Sequence, residues 1–344
     1  MPVSSLPCRY GIGSFGKAAH DFIDFLDATG QKCWQVLPLN PTSYGDSPYQ
    51  SPASVAGNPY YIDLDLLAQK KLLTKAELSE NGNDSTRVDY GWLFQTRYTV
   101  LRKAFARFVP DRDYRAFVRK NAAWLEKYSL FMALKVNYNH SPWTLWDEEH
   151  RDYRKALRCS AEFEGEMAFW RWCQYEFVTQ WQEVVRHAHE KKILIIGDMP
   201  IYVAMDSADV WAEPEFFQLG EGNVPTEVSG VPPDYFSADG QLWGNPLYDY
   251  DKMQADGFGW WIRRVEGASR LFDVIRIDHF RGFESYWAVP YGAKTARDGH
   301  WRKGPGMNLV GVLTSWFRGL ELIAEDLGFL TPEVHQLLTD SGLP

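Results

Sequence analysis

The chain has 344 residues, 45% of them hydrophobic and 24% charged, with a formal net charge of −9. That composition suits a soluble fold with a large core, and the length allows either two domains or one α/β barrel. The acidic balance argues against a nucleic-acid partner, because phosphate backbones demand a basic surface.

No stretch approaches the roughly 20 apolar residues of a membrane-spanning helix. The N-terminus shows no basic region followed by an apolar core, so no signal peptide is visible. Neither nucleic acid nor membrane is expected as a partner. Cys8, Cys33, Cys159 and Cys173 are scattered without metal-type pairing, and read as reduced thiols of a cytoplasmic protein. Aromatic residues reach 15%, with 15 Trp. A large core accounts for most of them, yet flat rings with a polar edge also suit the faces of sugars.

Pro2–Leu6 reads as the end of a strand whose beginning lies outside the chain. Gly11–Gly16 is a loop, and Phe15, Ala19, Phe22 and Leu26 then share one face of a helix that Gly30 can end. Cys33–Leu37 reads as a buried strand stopped by Pro38, followed by the long polar loop Asn40–Asn58. Strand, helix and strand within about 40 residues is the pattern of a parallel α/β sheet. From about Leu73 to Glu190 the sequence reads as helices. Strand character returns at Lys192–Ile196, at Phe272–Ile277 and at Leu320–Ala324. The Gly/Pro-rich stretch Gly220–Pro246 is too long for an ordinary connection and is expected to be a functional loop. The expected organisation is therefore residues 1–72 as the first strands and helix of a barrel, 73–190 as a helical insertion, and 191–344 as the barrel's continuation with an active-site loop at 220–246.

Three apolar runs stop at a carboxylate: Ile195-Ile196-Gly197 at Asp198, Val274–Ile277 at Asp278, and Leu322-Ile323-Ala324 at Glu325. Any one of these could simply cap the next helix. Three in register favour a shared site, because the C-terminal strand ends of a closed parallel barrel converge on one mouth. Clustered carboxylates resist ionising together, and retaining glycoside cleavage uses that conflict. It needs one ionised carboxylate as nucleophile and one protonated carboxyl as acid. Arg276 lies two residues before Asp278 and points to the same strand face, where it can keep Asp278 ionised.

Arg276-Ile277-Asp278-His279-Phe280-Arg281-Gly282 and Ile323-Ala324-Glu325-Asp326-Leu327-Gly328 resemble signatures of the amylomaltase, or disproportionating-enzyme, family (glycoside hydrolase family 77). So do Gly197–Val203, Asp206–Trp211, Ser43–Ser51, Ala56–Tyr60 and the long stretches Gly230–Ser237 and Gly240–Pro246. The resemblance covers the whole chain in the family's order. It implies a TIM (β/α)8-type barrel with a mainly helical insertion, and a retaining 4-α-glucanotransferase acting on maltooligosaccharides or other α-1,4-glucans. It further implies Asp278 as nucleophile, Glu325 as acid/base and Arg276 as the residue orienting Asp278. Asp198 is expected to hold sugar hydroxyls, Tyr49 to stack on that sugar, and His279 to bond a hydroxyl or serve structure. Asp234, Tyr235, Phe236 and Trp243 are expected on or beside the loop covering the acceptor side. The family's third essential carboxylate follows a later strand, so the chain is expected to be a fragment, with the last barrel strands and part of the first outside it.

Gly11-Ile12-Gly13-Ser14-Phe15-Gly16 matches the dinucleotide fingerprint. The fingerprint turn should follow its strand directly, yet Pro7-Cys8-Arg9-Tyr10 intervenes, which disfavours a dehydrogenase. The 8 His include no HExxH or tight metal pair, and no metal or organic cofactor is expected. The remaining rivals are an α-amylase-type hydrolase and a glucan-binding fragment without catalysis.

Overall fold

Ala19, Ile23 and Leu26 recur at helical spacing and form the buried face of α1 (Lys17–Ala28), which ends before Gly30 in the left-handed region. The computed structural model describes residues 1–344 apart from Tyr44, Asp84, Phe236 and Phe329. The chain divides into two units.

The first unit comprises Met1–Pro48, Val55–Ser141 and Tyr153–Ile196. In it β1 (Cys33–Gln35) pairs in parallel with the start of β2 (Leu194–Met199), Cys33 opposite Leu194. The elements between residues 73 and 190 are helical. Asp89 and Asp111 cap α2 (Tyr90–Phe105) and α3 (Arg112–Asn137) by accepting from Trp92 N and Tyr114 N. Along α4 (Glu164–Glu190) Met167, Trp170, Gln174, Phe177, Trp181, Val184 and Ala188 are buried. Their alternating spacing of three and four marks the core-facing stripe. Gln174 belongs there because both ends of its amide are satisfied by the backbone of Gly57, at 2.7 and 2.8 Å.

The second unit comprises Tyr49–Ser54, Pro142–Asp152 and Gly197–Pro344. Its antiparallel sheet has the order β4-β3-β6-β7, from β3 (Glu227–Val231), β4 (Gln241–Pro246), β6 (Ser285–Pro290) and β7 (His300–Lys303). Its parallel strands are the end of β2, β5 (Val274–Ile277) and β8 (Glu321–Ala324). Helix α5 (Gly259–Ser269) precedes β5, α6 (Met307–Trp316) precedes β8, and α7 (Pro332–Ser341) follows it. The segment Tyr49–Ser54 is fixed at its far end, where Ser54 N and Oγ donate to Asp209 at 2.8 and 2.6 Å.

Several expectations change. Pro2–Leu6 contains a 3₁₀ turn at Val3–Ser5 rather than a strand, because Leu6 N closes back onto Val3 O. Strand β2 runs on to Met199, so Asp198 lies inside the strand rather than after it. The stretch Gly220–Pro246, expected as a functional loop, holds regular structure. It contains β3 and β4, and β3 also pairs with β6, whose residues come more than fifty positions later. Composition cannot reveal that partner. The fingerprint glycines face protein: a Cβ on Gly16 would lie 2.0 Å from Asp63 Oδ2, and one on Gly13 would lie 1.9 Å from Val3 O. Close packing within the unit leaves no room for a side chain at either position. All four cysteines are free thiols.

Candidate active site

Strands β5 and β8 pair in parallel with Ile277 opposite Ala324, so Asp278 and Glu325 leave the sheet side by side. The backbone locks that register beyond the strands: Asp278 N donates to Met199 O at 3.0 Å, and Glu325 N to Ile277 O at 3.1 Å. Asp198 reaches the same place from the end of β2.

One guanidinium joins the three carboxylates. Arg276 Nη1 lies 2.7 Å from Asp198 Oδ1 and 3.5 Å from Asp278 Oδ1, and Nη2 lies 3.5 Å from Glu325 Oε1. Asp198 is 4% exposed and Glu325 9%, so neither charge could sit there unpaired. The carboxylates outweigh burial and raise the Arg276 pKa. Burial, then the charges of Asp198 and Glu325, push Asp278 up to about 6, against the opposing pull of Arg276.

Asp198 and Glu325 have further partners. Tyr49 Oη donates to Asp198 Oδ2 at 2.6 Å, and burial followed by this bond raises the phenol pKa. Glu325 accepts from His279 N at 2.7 Å and from Leu327 N at 3.2 Å. His279 adopts a left-handed backbone, φ 51° and ψ 45°. Burial, then the nearby Arg281 charge, lowers its pKa to about 4, which leaves the ring neutral near pH 7. Trp243 meets that ring edge-on, with centroids 4.9 Å apart.

The structure thus brings together Tyr49, Asp198, Arg276, Asp278, His279, Glu325 and Trp243. Asp234 and Tyr235 lie at the tip of the β3–β4 hairpin. There Asp234 Oδ1 accepts from Ser237 N at 2.7 Å, and Tyr235 is 97% exposed. Phe236 lies outside the described residues. Gln50 and Asn245 escaped the sequence reading: Gln50 Nε2 donates to Trp243 O at 3.2 Å and to Asn245 Oδ1 at 3.0 Å. Gln50 lies in Ser43–Ser51 and Asn245 in Gly240–Pro246, but nothing in an isolated Gln or Asn signals such a pairing. Among the described residues no group of three or more His, Cys, Asp or Glu is placed to hold a metal. A cleft of about 900 Å³ in the first unit, lined by Ser4–Arg9, Asp63 and Asp65 among others, contains none of the expected site residues. Polar chemistry, not cavity size, marks the candidate site.

A family model described as 4-alpha-glucanotransferase matches residues 1–344. The chain is 46% identical over 351 residues to a 4-alpha-glucanotransferase of Clostridium butyricum, an alignment covering 100% of this chain and 72% of that one. It is 47% identical over 352 residues to a 4-alpha-glucanotransferase of Thermus thermophilus, covering 99% and 69%. An amylomaltase from Streptococcus agalactiae, solved in complex with acarbose, matches with a TM-score of 0.95 at 39% identity, over 100% of this chain and 71% of that one. An amylomaltase from Corynebacterium glutamicum, 18% identical, shares the fold at a TM-score of 0.80 over 99% and 49%. The parallel strands and intervening helices are those of an α/β barrel of the amylomaltase type.

Proposed function

The chain belongs to the 4-alpha-glucanotransferase family, and from that premise we propose that Asp278 and Glu325 carry a retaining double displacement on α-1,4-glucans. The supporting observation is the paired register of β5 and β8, which sets both carboxylates against one guanidinium.

In the first step a carboxylate oxygen of Asp278 attacks the anomeric carbon. Glu325 gives its proton to the departing glycosidic oxygen, and the leaving glucan carries that proton away. In the second step the 4-hydroxyl of an acceptor sugar attacks the same carbon. Its proton passes to Glu325, and the bond to Asp278 breaks. Arg276 holds Asp278 and offsets the negative charge of the cluster. Asp198 and Tyr49 form a hydrogen-bonded pair suited to hydroxyls and a sugar face. Trp243 covers the acceptor side and limits water, so that the glucosyl enzyme meets a sugar first. Asp234 and Tyr235 would join only if the hairpin tip closes over the acceptor. His279, neutral, offers its ring to a hydroxyl.

The family assignment sets aside an α-amylase-type hydrolase. The expected partners are maltooligosaccharides or longer α-1,4-glucans, with no nucleic acid, in keeping with the net charge of −9. No helix among the described residues is long and apolar enough to cross a membrane. Four free thiols support a reducing, cytoplasmic setting. Incubation of the full-length protein with maltotriose tests the reading. Longer oligomers with glucose are expected. Shorter sugars alone would indicate hydrolysis, and unchanged maltotriose a binding protein.

A further inference from the structure

We propose that Gln50 is a positioning residue whose side-chain amide fixes Trp243 against His279 and so sets how often the glucosyl enzyme reacts with a sugar rather than with water. The inference rests on the transferase reading above.

The need for Gln50 comes from a break in the β3–β4 ladder. Gly230 stands opposite Leu242, but Val228 stands opposite Pro246. Two steps on β3 therefore face four on β4, and Trp243, Gly244 and Asn245 form a bulge. Gly244, at φ 78°, supplies the left-handed turn this requires. The carbonyl of Trp243 has lost its place in the ladder, and Gln50 Nε2 fills it at 3.2 Å. The same amide pairs with Asn245 in both directions: Gln50 Nε2 donates to Asn245 Oδ1 at 3.0 Å, and Asn245 Nδ2 donates to Gln50 Oε1 at 3.2 Å.

Both ends of this link are anchored. Asn245 is 4% exposed. Its Nδ2 also donates to Val203 O at 2.9 Å, and its backbone N to the buried Ser229 Oγ at 3.2 Å. Gln50 follows Tyr49, which is held by Asp198 at 2.6 Å. It precedes Pro52, whose carbonyl accepts from Ala208 N at 2.8 Å, and Ser54, which is tied to Asp209. A rigid segment therefore carries Tyr49 on the sugar side and, one residue on, the amide that holds the strand bearing Trp243. The Trp243 ring can stay 4.9 Å from His279 only while its backbone is fixed.

The test uses full-length enzyme and maltotriose, with hydrolysis and transfer products counted separately. Gln50→Glu keeps the side-chain size and can still accept from Asn245 Nδ2, but loses the donor to Trp243 O and Asn245 Oδ1. The ratio of hydrolysis to transfer should rise on the order of threefold to tenfold, the worth of one or two hydrogen bonds. Release of fluoride from a glucosyl fluoride donor, which reports the first step, should stay nearly constant. Adding Gln50→Glu to Trp243→Ala should change the ratio no further, because the two residues act through one another. A ratio unchanged by Gln50→Glu, or an additional rise in the double variant, would overturn the assignment. If the unsubstituted enzyme makes no oligomer longer than its donor, the transferase reading fails first and the role of Gln50 falls with it.

Discussion

The backbone N–H of His279 donates to Glu325 Oε2 at 2.7 Å, so the residue that follows Asp278 holds the carboxylate facing it across the strand pair. That bond depends on the left-handed turn at His279, a conformation most side chains resist.

His279→Asn should therefore preserve the bond, because Asn tolerates the left-handed region. His279→Val should not, since a β-branched residue there costs about 1–2 kcal/mol. The comparison is made with maltotriose and a glucosyl fluoride as donors. The Val variant should lose more on maltotriose, whose leaving group needs the proton of Glu325, and the Asn variant should slow both donors alike. Equal loss on both donors in the Val variant would show that the turn does not serve the acid.

Asp278→Asn should abolish transfer, since an amide cannot form the glucosyl ester, and should also stabilise the fold. The pKa of Asp278 is pushed up to about 6, above its ordinary value, chiefly by burial. Its ionised form is thus less favourable folded than unfolded. The penalty is absent below about pH 4, grows as pH rises, and is complete above about pH 6. Removing the charge should add on the order of 1–3 kcal/mol near neutral pH, with partial exposure reducing the figure. Melting curves of both proteins between pH 4 and 8 check this, and a gain that does not shrink toward acid would contradict it.

Glu325→Gln should slow donors with poor leaving groups far more than activated ones, because only the former need a proton in the first step. The measurement is the ratio of maltotriose to glucosyl fluoride rates in the variant and its parent. An unchanged ratio would assign Glu325 another role.

For kcat/KM with maltotriose, activity should fall on the acid side through about pH 6, as Asp278 takes up a proton and stops being a nucleophile. After burial, the Asp198 charge is the largest cause of that raised value. Asp198→Asn should therefore move the acid limb to lower pH while reducing the rate. A limb that moves upward would mean that Arg276, released from Asp198, no longer restrains Asp278.

The carboxylates were legible in the sequence because a short apolar run that stops at an acid is a local signal, and parallel pairing then brings the stops together. Arg276 was legible for the same reason, through the two-residue period of a strand. The antiparallel sheet was not. Strand β3 draws its hydrogen bonds from β4 and from β6, and no window along the chain contains those partners. Tyr235 is almost fully exposed at a hairpin tip, and motif membership does not say which way a tip points. Gln50 and Asn245 matter through each other, and a pair separated by 195 residues leaves no trace at either position alone.

Tyr49 meets Asp198 across 149 residues of chain. Helices α2 to α4 all lie between them. Closing so long a loop costs entropy before the contact contributes anything. His279 and Glu325 are only 46 residues apart and sit beside one parallel strand pair. Refolding should therefore restore the carboxylate pair before the tyrosine reaches its partner, with helical signal returning ahead of activity. The last event expected before activity returns is the capture of a six-residue segment, Tyr49–Ser54, by a unit whose remaining residues come much later in the chain.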